Sequence, residues 1–219
     1  SVSVPEMAHG LARSAAGEVH VLGLEDPNDP QAALDWGPRV HAYAPTGIRA
    51  FGYAPDLEST LAHLAPNVID VQGLWTYPSL ANLRHHRRKG TPYVVTPRGM
   101  LDPWARKRSR WKKRAVRRWF EDTHLAQAAC LRATAEMEAE HFRSFGLTNP
   151  IAIVPNGVEI PDLSGVPRSR GPRRRALFLS RIHPKKGLPY LLDAWAAIEA
   201  QHPDWELVIA GPDEGGHTT

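Results

Sequence analysis

Two hydrophobic periods take turns along this chain. Short apolar or alternating runs bounded by Gly, Pro or Asn read as strands at residues 18–24, 40–43, 67–72, 93–96, 131–134, 151–154 and 175–179, with a last one from Glu206 into a turn at Gly211. Between them, apolar residues recur at helical spacing. Val4, Met7, Ala8 and Leu11 share one face, as do Leu188, Leu191, Leu192, Trp195 and Ile198. Further helices are predicted over 57–64, 78–88, 104 to about 129, and 136–145, the last closed by Gly146. The apolar stripe of the long one includes Trp111, Ala115, Trp119 and Phe120, which turns Trp111 and Trp119 inward. Residues 67–72 and 175–179 read as buried strands, and 26–36 as a loop. Strand and helix in alternation predict an α/β fold with parallel sheets in two Rossmann-like lobes.

Residues 160–175 are rich in Pro, Gly, Ser and Arg and carry no clear period. The expected organisation is a first domain at 1–160, a linker at 161–174, and the start of a second domain at 175–219. No initiator Met is present, and the final strand is followed by no helix, although a parallel strand needs cover on both faces. The sequence is therefore expected to be a piece of a longer protein, cut at both ends. The single cysteine, Cys130, excludes an internal disulfide and a Cys-based zinc site, and it reads as a small buried hydrophobe in a reducing compartment.

The chemistry is concentrated in the loop Ser180-Arg181-Ile182-His183-Pro184-Lys185-Lys186-Gly187, which joins a strand to a helix. Ligands of open α/β sheets bind beyond the carboxyl ends of strands, where a helix N-terminus favours anions. An Arg fork and a Lys point charge there suit a diphosphate. The same residues also read as a solvated turn with two surface cations. Net charge is +4, but fourteen Lys or Arg fall between Arg84 and Arg118 against one acid, Asp102. Such a block calls for an anionic partner or surface. His85 and His86 are adjacent on a basic helix and read as solvated.

Five turns in order carry a family resemblance: Gly73-Leu74-Trp75, Pro97-Arg98-Gly99-Met100-Leu101, Pro155-Asn156-Gly157, the Ser180–Gly187 loop, and Ala210-Gly211-Pro212-Asp213-Glu214. Together they resemble a retaining glycosyltransferase of the family 4 type, with the GT-B fold of two Rossmann-like domains, here with the second incomplete. The resemblance implies that Arg181 and Lys186 grip the donor's diphosphate, with Ser180 and Gly187 in the same loop. It implies that Asn156 and Gly157 line the donor cleft; Asn-Gly also reads as a tight turn with positive φ. Gly73, Trp75, Arg98 and Gly99 fall on the acceptor side. Trp75 either stacks on a sugar or packs as a core or lid residue, and Arg98 either binds an acceptor phosphate or carboxylate or pairs with Asp102. Many relatives place His where Arg98 stands and before the Gly73 turn, where this chain has Gln72. A Gly-rich loop before the first helix and a spaced carboxylate pair on the donor sugar are missing, and Glu214 does not replace that pair. The chain alone is thus expected to be a poor catalyst.

The implied reaction moves a sugar from a nucleotide-sugar donor to a glycan or lipid-linked acceptor in cell-surface polysaccharide synthesis, with no metal or other cofactor. The implied location is cytoplasmic and peripheral on the inner membrane face, with the cations from Arg84 to Arg118 against anionic lipid. The competing reading is a non-catalytic basic module for anionic lipid, glycan or nucleic acid. Nucleic acid is not expected, because no RNP, zinc-finger or helix-turn-helix signature occurs and the tryptophans face inward.

Overall fold

A computed structural model describes residues 3–14, 17–26, 33, 36–37, 39–104, 110–157, 160, 162–165, 173–183 and 186–213. The chain divides into two units, Ser1–Glu159 and Ile160–Thr219. Most of the loop expected at 26–36 lies outside the described residues.

The first unit begins with α1 (Ser3–Arg13), β1 (Val21–Leu24), β2 (Val40–Tyr43) and α2 (Asp56–Leu64). It continues through β3 (Ile69–Gln72), α3 (Tyr77–Lys89) and β4 (Tyr93–Thr96). Then come α4 (Arg110–Val116), a π-helical turn (Arg117–Glu121), α5 (Asp122–Gln127), β5 (Cys130–Ala133), α6 (Glu136–Phe145) and β6 (Ile151–Ile153). β1 and β2 form a parallel pair, and a second parallel sheet has the order β3-β4-β5-β6. Its register sets Val71 opposite Val95, Val95 opposite Leu131, and Leu131 opposite Ile151. Tyr93, Val95, Leu131 and Ala133 are fully buried with Leu125 and Phe142. Each such large side chain contributes roughly 1.5–3 kcal/mol by leaving water. A second cluster joins Leu57 and Leu61 of α2 to Tyr77, Leu80 and Leu83 of α3 and to Phe120. The parallel α/β reading therefore holds, and Gly146 caps α6 at φ +98° as its position predicts.

Of the strand expected to be buried at 67–72 only Val71 is, with Val68 60% exposed, and three expectations about the helices also fail in this unit. The basic helix is not one uninterrupted α-helix among its described residues: the π-helical turn breaks its period at Arg117–Glu121 and brings Phe120 and Glu121 together into the core. Trp111 and Trp119 point outward, 74% and 62% exposed, because the core on that side is already filled by Phe120. Trp119 rests on Phe51 and Phe120, ring centroids 5.7 and 5.3 Å away.

His85 is the third, since it is buried rather than solvated. Its Nε2 lies 3.1 Å from Thr91 Oγ1, while His86 Nδ1 lies 2.8 Å from the Thr91 carbonyl oxygen. Burial lowers the His85 pKa from its ordinary value, and Arg88 and Lys89 add to the shift. The unfolded chain then binds that proton more tightly than the folded one, so the stability from neutral His85 is present above about pH 6.5 and is lost as pH falls. Thermal unfolding at pH 7.5 and 5.5 checks this: His85→Gln is expected to reduce the acid-induced drop in Tm. An unchanged drop contradicts it.

The second unit holds β7 (Arg174–Leu179), α7 (Leu188–Ile198), a 3-10 turn (Glu199–Gln201) and β8 (Trp205–Ala210). β7 and β8 pair in parallel through six residue pairs, from Arg174 opposite Trp205 to Leu179 opposite Ala210. β7 is not the buried strand expected: Leu177 is 61% and Leu179 74% exposed. A two-stranded sheet with one helix has cover for one face only.

Candidate functional site

Four strand ends of the first unit meet in one hydrogen-bonded patch. Arg98, just after β4, donates from Nε to Gln72 Oε1 at the end of β3 at 2.7 Å, and from Nη1 to Asn156 Oδ1 beyond β6 at 3.1 Å. Gln72 Nε2 reaches Thr96 Oγ1 at 3.4 Å, and that hydroxyl donates to Asp70 at 3.2 Å. Arg132 of β5 donates to the backbone oxygens of Val154 and Pro155 at 3.3 and 3.4 Å. Burial lowers the Arg98 pKa from its ordinary value and Arg132 adds to this, while Asp70 and Glu138 oppose it. The patch thus sets the Arg98 and Arg132 guanidinium groups among amide and carbonyl oxygens, with the Asp70 and Glu138 carboxylates nearby.

Both turns that carry it are held in an unusual backbone region. Arg98 has φ +54° and Trp75 +71°, between or beside Gly73 at +89° and Gly99 at +72°. Non-glycine residues there are strained, and such strain gathers at functional sites. Gly99 is exposed and Gly73 buried. Trp75 is partly buried against the main core cluster, with Lys113 Nζ 5.8 Å from its ring centre. Asn156 and Gly157 are exposed, and Gly157 does not take the positive φ expected of an Asn-Gly turn. Asp102, offered as an alternative partner of Arg98, accepts the Trp104 backbone amide at 2.7 Å.

The second unit shapes the other predicted cluster. Beyond β7 the backbone keeps following β8: Ser180 N donates to Ala210 O at 3.1 Å and Ile182 N to Pro212 O at 2.9 Å. The chain then turns through Lys186, whose N donates to His183 O at 2.8 Å, and enters α7 through Gly187 at φ +70°. Arg181 and Lys186 are both exposed, on either side of that turn, where the first amides of α7 are unsatisfied within the helix. Pro184 and Lys185 lie outside the described residues. Gly211 allows the latch: at φ +143°, a Cβ there would stand 2.0 Å from the Ser180 carbonyl oxygen.

Two carboxylates escaped the sequence reading. Glu121 and Glu138 are buried, at 0% and 8% exposure, and touch the two strained turns. Glu138 stands at the third helical position of α6 and reaches back to Thr134, but the N-cap is Ala135 and Thr134 lies four residues before Glu138, so the capping-box pattern that could have flagged it is not met. Glu121, beside Phe120 in a basic segment, offers no signal either. Among the described residues no group of three His, Cys, Asp or Glu could hold a metal, and no helix is long and apolar enough to cross a membrane.

Residues 1–157 match the glycosyl transferase 4-like domain, and residues 160–218 match glycosyl transferases group 1. A GDP-mannose:cellobiosyl-diphosphopolyprenol alpha-mannosyltransferase of Xanthomonas campestris is 27% identical over 173 residues, 75% of this chain and 43% of that protein. Among solved structures, Anabaena Alr3699/HepE in complex with UDP and glucose has a TM-score of 0.68 at 17% identity, covering all of this chain and 59% of its own. A putative UDP-N-acetylglucosamine 2-epimerase of Listeria monocytogenes scores 0.60 at 13% identity, over 99% of this chain and 60% of its own. These likenesses establish the GT-B type of α/β fold; an epimerase shares it, so fold alone does not specify the reaction. The chain spans less than two thirds of each of these relatives.

Proposed function

Because the chain belongs to the glycosyl transferase 4-like family, we propose that its protein transfers a hexose from a nucleotide-sugar donor to a glycan or lipid-linked acceptor, with retention, in cell-surface polysaccharide synthesis. The observation that carries this is the latched loop after β7, which presents Arg181 and Lys186 at the start of α7. A departing nucleoside diphosphate gains negative charge as the glycosidic bond breaks. An Arg fork and an ammonium carried there by the latched backbone stabilise that charge more than the ground state, which lowers the barrier. Arg98, with Gln72 and Asn156, offers planar donors to the acceptor or the transferred sugar. No metal is assigned a role. The 219-residue chain, which spans 59% of HepE, is proposed to turn over well below roughly 1 per second by itself.

The relatives point to two donors, GDP-mannose and UDP-glucose. Calorimetric titration of the natural protein with GDP and with UDP, in the presence of EDTA, tests the reading. Saturable binding of one of them is expected; no binding of either overturns it.

The outward tryptophans favour a membrane-facing role for the first unit, peripheral on the cytoplasmic side. Arg114 and Arg118 are exposed beside Trp111 and Trp119, and indoles with cations suit the headgroup layer. Other cations of the block are engaged: Arg84 and Arg88 both bond Glu58 at 2.8 Å, and Arg117 bonds Asp122 at 2.8 Å. Burial pushes Glu58 up, but the hydrogen bonds from Arg84, Tyr77 and Arg88 outweigh it and hold its carboxyl below the ordinary value. Each free cation near anionic lipid contributes about 1 kcal/mol. Sedimentation is therefore expected with vesicles containing phosphatidylglycerol and not with phosphatidylcholine alone. Paired Trp111→Ala and Trp119→Ala substitutions should reduce it several-fold. Equal binding to both vesicles contradicts the role, and tighter binding to poly(U) than to anionic vesicles favours the nucleic-acid alternative.

A further inference from the structure

We propose that Glu121 and Glu138 are positioning residues for the acceptor edge, each holding one strained turn through a backbone amide; this rests on the reading of that edge given above. The Trp75 amide donates to Glu121 Oε2 at 2.6 Å, and the Gly99 amide donates to Glu138 Oε1 at 2.6 Å. Both receiving carboxylates are buried, and both turns are left-handed, at φ +71° for Trp75 and +54° and +72° for Arg98 and Gly99. The arrangement occurs twice, on two adjacent strands, from two unrelated elements.

The second oxygen of each carboxylate is tied to its own scaffold. Glu121 Oε1 lies 2.9 Å from His124 Nδ1, whose Nε2 lies 3.1 Å from Asn82 Nδ2 on α3. Glu138 Oε2 accepts from Thr134 N at 2.7 Å and Thr134 Oγ1 at 2.8 Å. Each side chain is therefore a two-ended strut: one oxygen anchored in a helix or strand end, the other on the amide of a turn. A buried carboxylate is costly for stability, and a well-packed apolar residue would usually serve the core as well. What an apolar residue cannot do is accept that amide. Short carboxylate-to-amide bonds are strong and directional. They fix the direction in which Arg98 leaves β4 and Trp75 leaves β3. Arg98 reaches Gln72 and Asn156 only while its turn is held.

The test uses the natural protein with GDP-mannose and UDP-glucose as donors and a membrane fraction of the native host as acceptor supply. Glu121→Ala and Glu138→Ala are each expected to raise the membrane concentration for half-maximal transfer at least tenfold, with the donor KM unchanged. Glu121→Gln keeps an acceptor oxygen for the Trp75 amide and turns its NH2 to the His124 ring, and is expected to stay within about threefold of wild type, whereas Glu138→Gln must set its NH2 against the Gly99 or the Thr134 N–H and is expected to fall between wild type and Glu138→Ala. Hydrogen exchange reads the struts without activity: the Trp75 amide should exchange at least tenfold faster in Glu121→Ala alone, and the Gly99 amide in Glu138→Ala alone. Unchanged exchange at those amides overturns the pinning. Faster exchange with donor and acceptor constants shifted equally, or with Glu121→Gln as impaired as Glu121→Ala, assigns the glutamates to stability only and overturns the positioning role. Absence of transfer by wild type from either donor overturns the acceptor reading itself, and the positioning role with it.

Discussion

Gly211→Ala is expected to weaken nucleotide binding by about two orders of magnitude. The added methyl would stand 2.0 Å from the Ser180 carbonyl oxygen and 2.7 Å from its carbon, both backbone atoms. No side-chain rotation relieves that overlap. Gly211 also sits at φ +143°, a region that only glycine visits without strain. Either the end of β8 or the Ser180 loop has to move, and both hydrogen bonds that latch the loop, Ser180 to Ala210 and Ile182 to Pro212, lie within that junction. A cost of about 3 kcal/mol at such a site corresponds to roughly 100-fold in affinity. Titration with GDP and UDP measures it, and unchanged sedimentation with anionic vesicles shows that the first unit is intact. Gly187→Ala provides the contrast. There the nearest atom to the new methyl is Tyr190 Cδ2 at 3.7 Å, so only the φ of +70° opposes it. A penalty of about 1–2 kcal/mol, or roughly tenfold, is expected. A Gly211→Ala protein that binds within threefold of wild type would show that the latch does not shape the donor site.

Arg181→Ala is expected to lower the same affinity by about 10- to 100-fold, since a charge-assisted hydrogen bond contributes about 1.5–3 kcal/mol. Arg181→Lys should recover only part of this, because an ammonium keeps the charge and loses the planar fork. The loss should shrink in high salt, as Arg181 is exposed and its attraction for phosphate is screened. Transfer is expected to fall further than binding, since the diphosphate carries more charge in the transition state than in the bound donor. Equal affinity in Arg181→Ala and wild type would remove the donor loop from the site.

Much of the fold is legible residue by residue, because hydrophobic period is a local property. Tyr93–Thr96, Val40–Tyr43 and Glu136–Phe145 occupy their expected places to the residue, and Gly146 ends its helix as its lack of a side chain allows. The candidate site is legible where it is made of turns: Gly73, Arg98, Asn156, Arg181 and Gly187 all sit at strand ends or at a helix start. What failed depends on neighbours distant in sequence. Trp111 and Trp119 have the spacing of a core stripe, yet Phe120 already fills the space beside Tyr77 and Leu80, and the π-helical turn rotates the remaining face outward. His85 reads as solvated among Arg and Lys, but three-dimensional packing turns that one position under α3 toward Thr91.

The sequence by itself determined most of the elements, their parallel α/β class and the turns at the strand ends, since propensity, periodicity and turn residues act over a few positions. Only the tertiary structure decided that Arg98 joins Gln72 to Asn156 across 58 residues of chain, that Glu121 reaches Trp75 across 46, and that Ser180 lies against Gly211. Those contacts depend on which strands become neighbours and in what register, and register is set by the packing of the whole sheet rather than by any local run of residues.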